Sequence, residues 1–209
     1  MKVAFAIPTM TKPFQQTLDA LKASVPFLDR AGFEHCMVSE IGSPYISCAR
    51  ATMLRKALDA KCEAVVFIDH DLSWPAPALL KLIETEGDFV AGTYRFKHEP
   101  EEYMGALLPD INARPQVRAD GCVKAHSIPA GFLKITAQAV DTFMGAYPEL
   151  CYGPRFRQSV DLFQHGAHEH HVGGAGGLPH HASAVRSQQT VENRSEEHTS
   201  ELQSRSAIS

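Results

Sequence analysis

No apolar run in this chain approaches the ~20 residues that span a bilayer, so no transmembrane segment is expected. Basic charge is not in excess either. The 209 residues carry a formal net charge of −4, which leaves no footprint for nucleic acid. Cysteines are few, odd in number and scattered: Cys36, Cys48, Cys62, Cys122 and Cys151, with no Cys-x-x-Cys spacing. That set argues against a disulfide framework and for reduced thiols in a cytoplasmic protein. The apolar part of Met1-Lys2-Val3-Ala4-Phe5-Ala6-Ile7-Pro8 is too short for a signal peptide and reads as a first strand.

What is present is an ordinary globular composition, 44% hydrophobic and 21% charged, in a chain long enough for one domain with a real core. Its most informative stretch is Val65-Val66-Phe67-Ile68-Asp69-His70-Asp71. A short continuous apolar run reads as a strand buried on both faces. In open α/β sheets, ligands gather at the carboxyl ends of such strands. Two acids spaced Asp-x-Asp at that point suit a hard divalent cation and the phosphates it carries. The alternative is a plain strand-end turn, where Asp bonds nearby backbone amides.

The rest of the first half alternates strand and helix. Strands are expected at 2–7, 35–39, 64–68 and 88–92, and helices at 14–29, 47–60 and 76–86. Thr11 with Pro13 is a plausible start for the first helix. Weaker strands are expected at 102–108 and 122–128, and another at Phe132-Leu133-Lys134-Ile135. Thr136 is positioned to cap a helix over 137–146. That order predicts an α/β fold with a mostly parallel central sheet flanked by helices.

The end of the chain differs in kind. Apolar periodicity stops near His170, and seven of the eleven histidines lie between His165 and His198. Residues 194–209 resemble the translation of a short sequencing adapter, and 170–193 resemble a frameshifted end. The expected organisation is therefore one domain over 1–169, incomplete at its C-terminal end, and a disordered or artefactual tail over 170–209.

Five stretches, in order, resemble the GT-A glycosyltransferases, the Rossmann-like, family-2-like enzymes that use nucleotide sugars. They are Phe5-Ala6-Ile7-Pro8-Thr9; Ser47-Cys48-Ala49-Arg50; Phe67-Ile68-Asp69-His70-Asp71; Phe89-Val90-Ala91-Gly92-Thr93-Tyr94-Arg95-Phe96-Lys97; and Pro129-Ala130-Gly131-Phe132-Leu133-Lys134-Ile135. The resemblance covers about residues 2–146. It implies metal-dependent transfer of a glycosyl group from a nucleotide-diphosphate sugar to an acceptor that is a glycan, lipid or protein. It also implies a Mn²⁺ or Mg²⁺ cofactor, since carboxylate and phosphate oxygens are hard ligands. Asp71 would be the main metal ligand, with Asp69 sharing the metal or facing the ribose. Pro8, Thr9, Arg50, Asp69 and Lys97 would line the donor nucleotide, and Arg95 is a further basic candidate. His165 is a candidate third metal ligand, since neutral imidazole commonly ligates.

Other residues carry competing readings. His70 should point away from the two acids and pack. Trp74 either stacks on a sugar or packs over a helix start. Gly131 marks close approach of the backbone to a sugar, or a bulge. The acidic motif that supplies the base in inverting members is missing. Asp161 is the nearest acid, so the catalytic residue is unknown. Three alternatives stay open: a nucleotide- or sugar-binding remnant without turnover, a sugar nucleotidyltransferase and a metal-dependent hydrolase. The nucleotidyltransferase would carry a glycine-rich basic loop where this chain has Pro8-Thr9-Met10-Thr11-Lys12-Pro13.

Overall fold

The computed structural model describes residues 1–94, 103–154 and 158–163, and the backbone of 182–185. Its centre is strand β3 (Ala64–Ile68), all five residues of which are fully buried. β3 lies beside β1 (Lys2–Ala6), which in turn pairs with β2 (Glu34–Val38); both pairings are parallel. The connections are helices α1 (Gln15–Arg30) and α2 (Ile46–Asp59), as the alternation of periods predicts. After α3 (Ala76–Glu84) come β4 (Phe89–Gly92), β5 (Ala106–Leu107), β6 (Cys122–Ser127), β7 (Phe132–Thr136) and α4 (Ala137–Ala146). A short ribbon, β8 (Cys151–Tyr152) with β9 (Ser159–Val160), follows. Within the segment expected as a tail, Ala182–Val185 forms β10 between β4 and β6, where its backbone pairs with both neighbours.

The sheet order is β2-β1-β3-β7-β4-β10-β6-β5. The pairings set six of these eight strands in one direction, with β7 and β6 opposed. The fold is thus α/β with a mostly parallel sheet flanked by helices. Insertion of β7 antiparallel between β3 and β4 is the feature that shapes the site. It brings the start of β7 to the carboxyl end of β3, with Ile68 opposite Phe132.

Strand alternation divides the core into two layers. Phe5, Ile7, Val66 and Ile68 pack with Ala20 and Leu28 of α1 and Leu79 and Leu82 of α3. Ala4, Ala6, Val65 and Phe67 face Met53, Leu54 and Ala57 of α2 and Val140 and Phe143 of α4. Trp74 belongs to the first layer: it is 5% exposed, and its indole N–H donates to Ser24 Oγ at 3.0 Å. Thr136 caps α4 as expected, accepting the Ala139 N–H at 3.2 Å.

Helix α1 starts later than Thr11 and Pro13 suggest. Its N-cap position is Phe14, without a side-chain cap. The anchor comes from outside the helix, since the His70 carbonyl accepts both the Phe14 N–H at 2.9 Å and the Thr17 hydroxyl at 2.8 Å. A second non-local device is Lys134 on β7. It is 4% exposed and donates its ammonium to the carbonyls of Ile83 and Thr85 at the end of α3. Burial lowers its pKa, while Asp88 nearby opposes that shift.

Candidate functional site

The carboxyl end of β3 delivers Asp69 into a cluster built from four elements. Arg50, in the second turn of α2, donates from Nη2 to Asp69 Oδ1 at 2.9 Å. Tyr94, just past β4, donates its hydroxyl to Oδ2 at 3.3 Å. Gly131, immediately before β7, accepts the Asp69 backbone N–H at 2.7 Å. Both carboxylate oxygens of Asp69 are therefore met by donors from other parts of the chain. Its side chain is 31% exposed, so the pair borders solvent rather than lying deep in the core.

Gly131 is required by proximity. A Cβ there would lie 2.7 Å from Asp69 Cγ and nearer still to Oδ2 and the Tyr94 hydroxyl. The close approach that the Gly131 backbone makes is to Asp69 and Tyr94. Gly92 is similarly confined, since a Cβ would sit 2.6 Å from Phe132 Cδ1.

Arg50 is more deeply set than its partner, with a side chain 12% exposed. Its guanidinium lies 5.4 Å from the ring centroid of Phe163, which packs edge-on against Phe67 at 5.0 Å. The aromatic face holds the guanidinium by cation–π attraction. The Arg50 Nε–H is buried without an acceptor among the described residues. A buried donor left unmatched is costly. Tyr94 is pushed well above the ordinary phenol range, first by burial and then by the Asp69 charge. It stays protonated and acts here as a donor.

His70 turns away from Asp69, stacking on Phe14 at 5.5 Å with the rings 16° apart. Asp71 is half-buried, and its backbone carbonyl receives Gln16 Nε2 at 3.4 Å. Pro8 is buried at the end of β1. Thr9 follows it and bridges to Ile41, while its carbonyl accepts the Gly42 N–H at 3.1 Å. That contact ties the β1 end to the loop after β2. Arg95, Lys97 and His165 lie outside the described residues.

Tyr94 and Phe163 are the partners that sequence reasoning passed over. The signal for Tyr94 was a phenol directly after a buried strand, since a buried tyrosine hydroxyl seeks an acceptor. Phe163 stands 113 positions beyond Arg50, and no local pattern couples them.

No group of three or more His, Cys, Asp or Glu side chains able to hold a metal occurs among the described residues. No helix among them is long and apolar enough to cross a membrane.

No protein-family model and no curated protein matches the chain. Among solved structures it is similar to S. aureus TarS 1-349, at 13% identity and TM-score 0.39, over 68% of this chain and 49% of that one. It is also similar to the inositol-1-phosphate CTP transferase from T. maritima, at 12% identity and TM-score 0.34, over 66% of this chain and 72% of that one. The chain spans about half the length of the TarS chain. Likenesses this distant do not assign a function.

Proposed function

We propose that the chain binds a nucleoside-diphosphate sugar at the carboxyl end of β3 and transfers its glycosyl group to an acceptor. The observation that supports this most is the Arg50–Asp69 pair, which ends the most buried strand beside a second carboxylate, Asp71. An arginine with an unmatched buried donor suits a diphosphate oxygen. Its aromatic seat on Phe163 fixes the guanidinium plane before the ligand arrives.

The division of labour follows from charge. Asp69 holds Arg50 in place and keeps its charge compensated while the site is empty. A second cation on the same Asp69 oxygens would meet the guanidinium 2.9 Å from Oδ1; the proposal therefore leaves Asp69 to Arg50 and gives the metal-ligand role to Asp71. Mg²⁺ and Mn²⁺ fit such a place, because these ions take one or two carboxylates and draw their other ligands from substrate phosphates and water. When bound, the ion would supply Lewis-acid neutralisation of the departing diphosphate. Arg50 contributes to that neutralisation from the protein side, and Tyr94 keeps Asp69 oriented toward it. Pro8 and Thr9 would form the wall under the nucleoside, with Lys97 and His165 as further candidates.

A thermal-shift panel of nucleoside diphosphates and their sugars, with and without Mn²⁺, tests this reading. A ligand that binds only the folded state raises its Tm; at a hundred times Kd the gain is about 2.7 kcal/mol. A shift that requires Mn²⁺ and one particular base supports the proposal and names the donor. A cooperative melt unmoved by every nucleotide overturns it. If donors bind but no sugar is released to water or any acceptor, the chain is a binding module without turnover.

A further inference from the structure

Two thiols far from the Asp69 cluster stand close together. Cys36 Sγ on β2 lies 3.5 Å from Cys62 Sγ, although the two residues are 26 positions apart. Cys62 sits in the turn between α2 and β3. The Lys61 backbone before it is left-handed, at φ 57°, and the Cys62 N–H returns to the Ala57 carbonyl at 3.0 Å. Cys36 lies opposite Ala4 in the β1–β2 pairing. Both thiols lie in the layer between the sheet and α2.

We propose that Cys36 and Cys62 form a reversible dithiol–disulfide site that reacts with peroxide. The sulfurs need to close from 3.5 Å to a bond of about 2.05 Å. β2 is the edge strand of the sheet and Cys62 is on a turn, so neither backbone is clamped on both sides. Access assigns the order of events. Cys62 is 3% exposed, whereas Cys36 is half-buried. Burial, with the Cys36 thiol as a lesser cause, pushes Cys62 up to about 11, so the first attack belongs to Cys36.

The Cys36 sulfur attacks one oxygen of hydrogen peroxide. An S–O bond forms, the O–O bond breaks, and the released hydroxide takes the thiol proton to become water. The Cys62 sulfur then attacks the Cys36 sulfenic acid. The S–S bond forms and the S–O bond breaks, and a second water leaves with the Cys62 proton. Two thiols lose two electrons in all, and one peroxide is reduced to two waters. The product ties edge strand β2 to the turn that follows α2, the helix that carries Arg50.

The test uses the full chain with Cys48→Ser, which removes an exposed competing thiol. The folded protein is treated with hydrogen peroxide, quenched with N-ethylmaleimide and mapped by mass spectrometry. The expected product is a Cys36–Cys62 peptide pair lighter by two hydrogens, reversed by dithiothreitol. The oxidised protein should melt roughly 5–10 °C higher, because the crosslink restricts the unfolded chain. Cys62→Ser should leave a sulfenic acid on Cys36 that dimedone traps. Recovery of both thiols as maleimide adducts after unfolding would overturn the proposal. So would sulfinic acid on Cys36 without a crosslink, since both results leave a thiol pair that only packs. Neither result depends on whether the Asp69 cluster binds a nucleotide.

Discussion

Replacing Gly131 by alanine is the sharpest perturbation of the Asp69 cluster. The added methyl would fall 2.7 Å from Asp69 Cγ and closer to Oδ2 and the Tyr94 hydroxyl. The backbone cannot simply retreat, because its carbonyl holds the Asp69 N–H at 2.7 Å and the next residue begins β7. Either the carboxylate turns away from Arg50 or the β7 start shifts. Forced overpacking of this kind costs about 1–3 kcal/mol, and each kcal/mol lowers Tm by roughly 2–4 °C in a domain of this size. A fall of about 2–12 °C is therefore expected in a thermal melt. Tyr94→Phe alone removes the hydroxyl's bond to Asp69 and its backbone contact with Gly131, each worth about 0.5–1.5 kcal/mol. In the double variant the phenol oxygen is gone, so part of the alanine clash disappears with it. The double cost should fall below the sum of the single costs by about 1 kcal/mol. Additive costs, or a Gly131→Ala protein that melts like the parent, would refute the packed arrangement of Asp69, Tyr94 and Gly131.

Other expectations follow from the same geometry. Arg50→Ala should weaken nucleoside-diphosphate binding at least tenfold and cost stability, because Asp69 loses its main charge partner; Arg50→Lys should recover little, since lysine cannot keep the planar contact with Phe163; titration calorimetry measures both. Trp74→Phe should cost about 1–2 kcal/mol in urea unfolding, because the Ser24 hydroxyl loses its indole donor in the buried layer. Stability should fall between pH 9 and 11 in the reduced protein. The unfolded Cys62 thiol ionises near its ordinary 9.0 while the folded one holds its proton to about 11, so rising pH favours the unfolded chain across that window. Cys62→Ala should flatten that slope, as read from urea melts at successive pH values.

Much of the first half was legible because each element carries its own period. The apolar run at 64–68, the stripe of α1 and the capping threonine at 136 are local signals, and the elements form where those signals lie. The small shifts are at the ends: α3 stops at Glu84 rather than 86, and the weak strand over 102–108 shrinks to Ala106–Leu107 among the described residues. What the chain does not spell out locally is pairing. Nothing in Phe132-Leu133-Lys134-Ile135 says that it will lie antiparallel between β3 and β4. That insertion is what sets Gly131 against Asp69. The Arg50–Asp69 contact spans 19 positions and Tyr94–Asp69 spans 25. Each depends on the sheet order, so the motif containing Asp69 was readable while its partners were not. The buried lysine of β7 is a further case: its charge opposes a core strand in sequence, and the carbonyls of Ile83 and Thr85 at the end of α3 make it tolerable by accepting its ammonium.

Asp71 and Arg50 together are proposed to receive a metal-bound nucleoside diphosphate. Isothermal titration of UDP and GDP into the parent protein and into Asp71→Asn, each with and without Mn²⁺, tests this most directly. The expected result is binding that Mn²⁺ strengthens in the parent, and a loss of that Mn²⁺ dependence in Asp71→Asn while the fold still melts cooperatively. Equal affinities for parent and variant with Mn²⁺ present, or no binding to a well-folded parent, would contradict it.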